Sequence, residues 1–499
     1  MVRQKEKSLH QIIEFRKEKL DAVRSLGVNP YPYSLEVTHK SHQILADFDG
    51  MDGKKVTVAG RIVSMRRMGK ASFFHIQDQD GKIQIYSKRD NLSEKTYELL
   101  KQLDIGDIVG VEGAVFATKT REISISANQL ILLSKSLRPL PGMKEKDGTV
   151  FHSFTDKEQR YRRRYLDLIV NPHVKDTFIK RARIVRTVRD FLDDKGFVEV
   201  ETPVLQPLYG GAFASPFKTR HRTLDQELYL RIADELYLKR LIIGGFDRVY
   251  ELSKVFRNEG MDRNHNPEFT MLEFYVAYVD YNFLMDFTEK LIQKAAESVD
   301  MSSLSRGEEK IDLAPPYRRI SYMELLNGAV GEDVFDMNER QLRKACDRLG
   351  IELEENSHLG RIYEIMMREL TEPKLISPTF VIDYPKVISP LAKVRRDGNS
   401  ALVERFELFI NGHELANAFS ELNDPIDQRE RLENQSRLKR RGYREAQTMD
   451  EDFLQALETG MPPTGGVGIG IDRLVMLLTG QRSIKDVILF PAMRPQTHE

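Results

Sequence analysis

Three segments of this 499-residue chain carry residue types that do chemistry only in combination. Between Leu402 and Leu422, the alternating runs Arg405 to Ile410 and His413 to Phe419 flank Asn411-Gly412, and Asn-Gly between such runs is a strong signal for a tight hairpin. A two-residue turn pairs Phe409 with Glu414 and Glu407 with Ala416, which sets Glu407 and Glu414 diagonally on one face, within reach of one ion. Carboxylates so placed repel, and a magnesium ion carrying phosphates resolves the repulsion; a salt-bridged surface pair is the plainer alternative. From Tyr250 to Tyr278, two extended runs flank a polar loop holding Phe256-Arg257-Asn258-Glu259 and His265-Asn266-Pro267-Glu268-Phe269. Period two puts Phe269, Met271, Glu273 and Tyr275 on one face of the second run. A core strand does not turn a bare carboxylate inward without a cation, so this face either is solvated or lines a site. In Gly465 to Arg473, closely spaced glycines let a ligand approach the backbone, and Arg473 falls in the first turn of a leucine-rich helix. No Gly-Lys-Ser/Thr follows, so this is not a phosphate loop, and it opens no βαβ unit, so it is not a dinucleotide fingerprint.

The elements that must position these groups are legible at coarse grain. Residues 4–27 read as a charged helix ended by Gly27 and Asn29-Pro30. Residues 55–135 hold about five short alternating runs separated by Gly and Asp, a small all-β unit that suggests an OB-fold barrel. Arg138-Pro139-Leu140-Pro141-Gly142 reads as a linker. A larger mixed region follows. In it, Arg183 to Leu205 reads as a helix ended by Gly196 and a strand, Phe197 to Glu201, leading into Thr202-Pro203. The expected division is 1–140 for the helix and barrel, 141–165 for a hinge, and 166–499 for the large domain, with a mostly helical insertion at about 300–380.

Composition narrows the function classes. Basic and acidic residues number 76 each, so any contact with nucleic acid has to come from local patches. The single cysteine, Cys346, excludes an internal disulfide and a cysteine zinc cluster. The polar opening MVRQKEKSLHQIIEF and the lack of a long apolar run lead us to expect a cytoplasmic enzyme.

Taken in order, the helix–strand ending in proline, the Arg-containing strand–loop–strand and the Gly-rich strand leading to an Arg resemble the three signature motifs of class II aminoacyl-tRNA synthetases. A β-barrel ahead of that core resembles the aspartyl, asparaginyl and lysyl subclass. Within it, Arg257-Asn258-Glu259-Gly260, His265-Asn266-Pro267-Glu268-Phe269-Thr270 and Gly468-Ile469-Gly470-Ile471-Asp472-Arg473 look like the bacterial lysyl-tRNA synthetase family. The resemblance covers nearly the whole chain. It implies an α+β fold, with an anticodon-binding OB-fold followed by a catalytic domain whose antiparallel sheet is flanked by helices, and a homodimer.

The resemblance also implies roles. Arg257 and Arg473 would be catalytic. Arg257, Glu259, His265, Asn266, Phe269, Gly470 and Arg473 would bind ATP, with adenine between Phe269 and Arg473. Glu407 and Glu414 would hold Mg2+. Gly211 and Glu235 would take the α-amino group of L-lysine. Glu273, Tyr275 and Glu421 would take its ε-amine, and Asn417 and Phe419 would shape the pocket. An amine-binding pocket should end in carboxylates that have no cation of their own, whereas an aspartate-specific relative would need a cation there. Phe73 and Gln84 would read the anticodon of tRNA(Lys) by stacking and edge hydrogen bonds, with Arg61 and Glu112 as further candidates. Asn264 stands where many bacterial relatives carry an Arg before the His-Asn pair, and Arg263 sits one earlier. For Asn417 and Glu421 to share a face with Glu414, the hairpin needs a bulge between Glu414 and Asn417. The run Arg160 to Arg164 reads by default as a salt-bridged face. The rival readings are an asparagine or aspartate enzyme of the same class, a non-charging paralogue, and a relative that attaches lysine to a protein and lacks the barrel.

Overall fold

The computed structural model of the chain describes residues 8–141, 144–146, 149–151, 154–306, 309–355, 357–440, 443 and 447–496. Residues 4–7 of the expected first helix and Gly142 of the expected linker lie outside them. The chain divides into two compact units, Met1–Pro172 and His173–Glu499.

The first unit opens with the helix Leu9–Ser25, whose N-terminus is closed by a capping box between Ser8 and Gln11. Gly27 leaves it at φ +65°, a conformation that suits glycine. Five strands then close into a barrel. They are Lys55–Met68, Ala71–Gln77, Lys82–Lys88, Ile108–Ala117 and Ile123–Ser134. Alternation is strict where it matters: Phe74, Ile76, Ile83, Ile85, Val109, Val111 and Ile125 fill the interior, while Phe73 lies on the opposite face of its strand, half-buried. The arginine run behaves as a salt-bridged face. Arg160 and Arg164 both bond Asp167, each at 2.7 Å, and Arg162 pairs with Glu158.

The second unit is built on an eight-stranded sheet in the order Arg318–Ser321, Thr379–Pro385, Leu402–Ile410, His413–Ser420, Thr464–Gly470, Glu268–Ala277, Arg248–Phe256 and Val198–Glu199. The two outermost pairings are parallel and the rest antiparallel. The helices Val174–Asp193, Tyr281–Glu297 and Ile471–Thr479 cover one face, burying Ile184, Val188, Leu192, Leu284, Leu291, Leu474 and Val475 with Phe274, Phe406, Ala416 and Ala418. The opposite face is left to line a cleft.

Two expectations need correction. The strand expected over Phe197 to Glu201 is only Val198–Glu199, because pairing to Arg248–Phe256 stops there. The stretch expected to be mostly helical does hold Tyr322–Val330, Glu339–Arg348 and Leu359–Leu370, but it also supplies the edge strand Arg318–Ser321 to the main sheet and runs into its neighbour Thr379–Pro385. Those strands complete the sheet beside the carboxylate hairpin, so the segment is partly continuous with the main core.

Candidate active site

The cleft face is made by three central strands. On Glu268–Ala277, the side chains of Phe269, Met271, Glu273 and Tyr275 all line one cavity of about 330 Å³, as their alternation requires. Next to them, Gly466, Gly468 and Gly470 pair with Tyr275, Glu273 and Met271. A Cβ on Gly466 would overlap the Tyr275 ring and Glu421, and one on Gly468 would stand 3.0 Å from Met271 Cε. The glycines therefore give the neighbouring strands' long side chains room over the sheet.

The third strand reaches the cleft through a bulge. Asn411 and Gly412 both adopt positive φ, 55° and 74°, as a tight hairpin turn demands. Phe409 pairs with Glu414 as expected, but Leu408 pairs with Ala416 and Glu407 with Asn417. Leu415 is the extra residue, so the expected Glu407–Ala416 pairing is displaced by one position. The bulge lies between Glu414 and Asn417, where the sharing of one face required it. Glu414, Asn417 and Phe419 all line the cavity, together with Gly211, Glu235, Arg257, Glu259, His265, Asn266, Gly470 and Arg473. Asn264 lines it too. Arg263 instead offers its carbonyl to the Ile484 amide at 2.7 Å.

At the phosphate-side end, charges are held in place by neighbours. Arg405 donates to Glu407 at 2.6 Å and to Asn417 at 3.1 Å, and the Tyr384 hydroxyl donates to Glu407 at 2.8 Å. Burial and the nearby Glu414 push the Glu407 carboxyl up to about 7. The same causes, with Glu407 and Glu414 as the neighbours, push Glu372 up to about 8. This crowding of carboxylates is what a divalent cation relieves. Among the described residues no three or more His, Cys, Asp or Glu side chains gather as a complete metal site. Glu414 lines the cavity, whereas Glu407 does not and has its two oxygens engaged by Arg405 and Tyr384; an ion at this end would take its remaining ligands from phosphates and water, as magnesium does. Arg473 donates to the Glu414 carbonyl at 2.7 Å and lies 3.3 Å from the His265 ring, which in turn pairs with Asp262. Arg257 sits 5.2 Å above the Phe269 ring.

Sequence reasoning missed the groups that hold this face rigid. Asp472 accepts from Arg181 at 2.6 Å and from the Thr270 amide at 2.6 Å, and Arg181 also reaches the Thr270 hydroxyl. One buried carboxylate so joins the long helix Val174–Asp193, the Phe269 strand and the Arg473 helix. Arg231 does the same below the pocket, bonding Glu251 at 2.6 Å and the Lys254 carbonyl at 2.8 Å. These cations lie far along the chain from their partners, so no local spacing signals them.

At the other end, Glu273 is buried and accepts from the Asp234 amide at 3.1 Å and the Tyr275 hydroxyl at 3.2 Å. Burial, Asp234 and Glu235 push its carboxyl well up. No ion pair to it is found among the described residues. Glu421 differs, and the expectation of a carboxylate without a cation is corrected for it; Glu235, expected at the α-amine, carries the same cation. Lys239, fully buried one helical turn after Glu235, bonds Glu235 at 2.5 Å and forms an ion pair with Glu421. Glu421 does not line the open cavity. It lies just behind Gly466 and Tyr275.

On the barrel, Phe73 packs at 4.9 Å against Tyr86, tilted by 36°, and Tyr86 lies 5.9 Å from Phe116, tilted by 58°, so three half-buried rings form one cluster. Tyr86 and Phe116 were not foreseen. Gln84 accepts from the Ser124 hydroxyl at 2.8 Å, which fixes its amide. Arg61 is turned to the Gly106 carbonyl at 2.7 Å, a bond that holds a loop of the barrel. Glu112 faces Thr57 across the first strand.

Comparison with known proteins agrees with this geometry. Residues 156–494 match the family of tRNA synthetases class II (D, K and N), and residues 56–133 match the OB-fold nucleic acid binding domain. A lysine–tRNA ligase of Porphyromonas gingivalis is 52% identical over 492 residues, which span 96% of this chain and 85% of that protein. One of Carboxydothermus hydrogenoformans is 53% identical over 98% of this chain and 99% of its own length. One of Thermoanaerobacter sp. is 52% identical over 98% of this chain and 97% of its own. With a family match across more than half of its length, and a cleft built from the same three ordered motifs, the chain belongs to the class II tRNA synthetases of the D, K and N type.

Proposed function

We propose that this chain is a lysine–tRNA ligase that activates L-lysine with ATP and transfers it to the 3′ end of tRNA(Lys). The observation that carries the amino acid is Glu273: a buried carboxylate on the cavity wall, held by an amide and a phenol rather than by a cation. Leaving such a group unpaired is costly, so a ligand without an ammonium there is rejected. The names of the relatives support the same substrate.

In the first step a lysine carboxylate oxygen attacks the α-phosphorus of ATP; the new P–O bond forms as the bond to pyrophosphate breaks. The protein's part is positioning and charge neutralisation. Arg257, on the cavity wall beside Phe269, holds the α-phosphate and the carboxylate. Phe269 and Arg473 take the two faces of adenine, and Gly470 leaves that site open at the backbone. Glu259 and His265 line the nucleotide loop. Asn266 shapes it, because its own amide is already used on the Glu268 carbonyl and the Ala492 N–H. Glu407 and Glu414 would hold Mg2+, which supplies positive charge against the phosphates. Gly211 and Glu235 receive the α-amine, Glu273 and Tyr275 the ε-amine, with Glu421 behind Tyr275 and paired to Lys239, and Asn417 and Phe419 close the sides. In the second step a hydroxyl of the terminal ribose attacks the lysyl carbonyl carbon and AMP leaves. Phe73, Tyr86 and Phe116 provide the stacking platform for an anticodon base, with Gln84 reading an edge. We place the enzyme in the cytoplasm, where its tRNA partner is used. The exposed apolar side chains Val198, Val204, Leu205 and Leu208 near the first motif support a homodimer.

ATP–pyrophosphate exchange measured with each amino acid in turn tests the reading. Lysine alone should drive exchange; exchange driven by aspartate or asparagine would overturn it.

A further inference from the structure

Lys239 is a buried charge that none of the roles above uses. It belongs to the helix Glu235–Ile243, where apolar neighbours Leu238 and Ile242 pack inward. Its ammonium is inaccessible, bonded to Glu235 and paired with Glu421, and it lies 5.4 Å above the Phe419 ring and 5.9 Å from Phe453. An ammonium withdrawn from water loses its charge unless carboxylates hold it. Here burial pulls its pKa down and the two carboxylates more than reverse that. The other titratable or charged groups facing the cluster are Glu273 and Tyr275 from the adjoining strand, Asp234 at the helix start and Arg405 from the hairpin.

Resting on the lysine reading above, we propose that Lys239 is a positioning residue for amino-acid choice: a resident ammonium that ties Glu235 to Glu421 and sets the pocket's charge so that two further ammonium groups neutralise it. Glu235, Glu273 and Glu421 bring three negative charges and Lys239 removes one. The two left match the α- and ε-ammonium groups of lysine, whose carboxylate is met by Arg257. A neutral amino acid brings one ammonium and leaves a buried carboxylate unpaired. Aspartate finds no free cation, because both carboxylates already engage Lys239. The same pairing fixes Glu235, at the α-amine end, relative to Glu421, which backs Tyr275 at the ε-amine end, and so holds the pocket to one side-chain length.

The test uses the full chain in ATP–pyrophosphate exchange. Lys239→Met should raise the KM for lysine at least about tenfold and leave the KM for ATP within about twofold, as loss of one member of a buried charge cluster does. Lys239→Arg, which keeps the charge, should stay within about threefold of the parent. A purely space-filling role predicts the reverse order, with Met tolerated better than Arg. In Lys239→Met/Glu421→Gln the pocket again carries two negative charges, so its lysine KM should lie well below the product of the two single effects. Multiplicative effects, or a Lys239→Met enzyme with unchanged lysine KM, would overturn the proposal. If Lys239→Met gives no folded protein, Lys239→Gln keeps the length, loses the charge and is read in the same way. The parent protein run alongside separates the two readings: no lysine-dependent exchange in the parent sinks the substrate assignment itself, whereas normal exchange in the parent and in Lys239→Met sinks only the role of Lys239.

Discussion

At the scale of single residues, amino-acid choice in the proposed reading turns on Glu273, a buried carboxylate with no ion pair among the described residues. Glu273→Gln removes a charge but keeps the shape and the bond from the Asp234 amide. We expect the KM for lysine to rise about a hundredfold, since a charge-assisted bond is lost in a buried site, with the KM for ATP little changed. Steady-state exchange kinetics in both substrates check this; a collapse of ATP affinity with lysine affinity preserved would reassign the residue. The pH dependence has a definite sign. Burial and neighbouring carboxylates hold the Glu273 and Glu421 carboxyls above their ordinary range in the empty pocket. The lysine ammonium groups bind the ionised forms. Binding therefore releases protons, and lysine affinity should climb as pH rises through the raised carboxyl values and weaken in acid. Calorimetric titration of lysine in buffers of different ionisation enthalpy reads the proton release directly; proton uptake near neutrality would contradict the assigned states.

At the scale of elements, the informative feature is one extra residue. Were Leu415 paired in a regular ladder instead of bulged out, strand alternation would send Glu414 and Asn417 to opposite faces, and the two ends of the cleft could not both be built from one hairpin. Deleting Leu415 closes the bulge, keeps the turn and the flanking pairs, and leaves Glu414 and Asn417 two positions apart on one face, so the variant should fold and keep lysine-dependent exchange. Circular dichroism with the exchange assay checks both parts, and a folded deletion without exchange would show that the bulge itself shapes the cleft. The bulge was legible in the sequence, because a functional demand on Glu414 and Asn417 conflicted with period two. So were the five barrel strands and the Asn411-Gly412 turn, where local pattern and turn chemistry agree. The clamp of Arg181 on Asp472 and Thr270 was not legible, nor was the cation Lys239. Each is a charge on a helix whose inward placement depends on strands hundreds or tens of residues away. Arg181→Met exposes how much the clamp matters: it leaves the buried Asp472 with only the Thr270 amide, and a loss of about 3 kcal/mol in unfolding free energy is expected, read by denaturant titration.

At the scale of the whole molecule, the proposed reading gives both chemical steps to the second unit and tRNA recognition to the barrel of the first. Activation of lysine needs only the cleft of the second unit, whose proposed groups come from the central strands, the helices Glu235–Ile243 and Ile471–Thr479 and the loops between them. Discrimination among tRNAs is left to the barrel, whose own core is closed by Phe74, Ile76 and Ile85 and owes nothing to Phe73. Because Phe73 lies outside that core, against Tyr86, its removal should not unfold the barrel. Stacking on an aromatic ring contributes about 1–3 kcal/mol per base, so Phe73→Ala should raise the KM for tRNA by about tenfold or more. Exchange without tRNA should be unchanged, since no group of the cleft is touched. Aminoacylation and exchange assays run on the same preparation separate the two effects. A variant that loses exchange as well would mean that Phe73 supports the fold, and one that keeps normal tRNA charging would move the anticodon contact elsewhere on the barrel, with Tyr86 and Phe116 as the next side chains to remove.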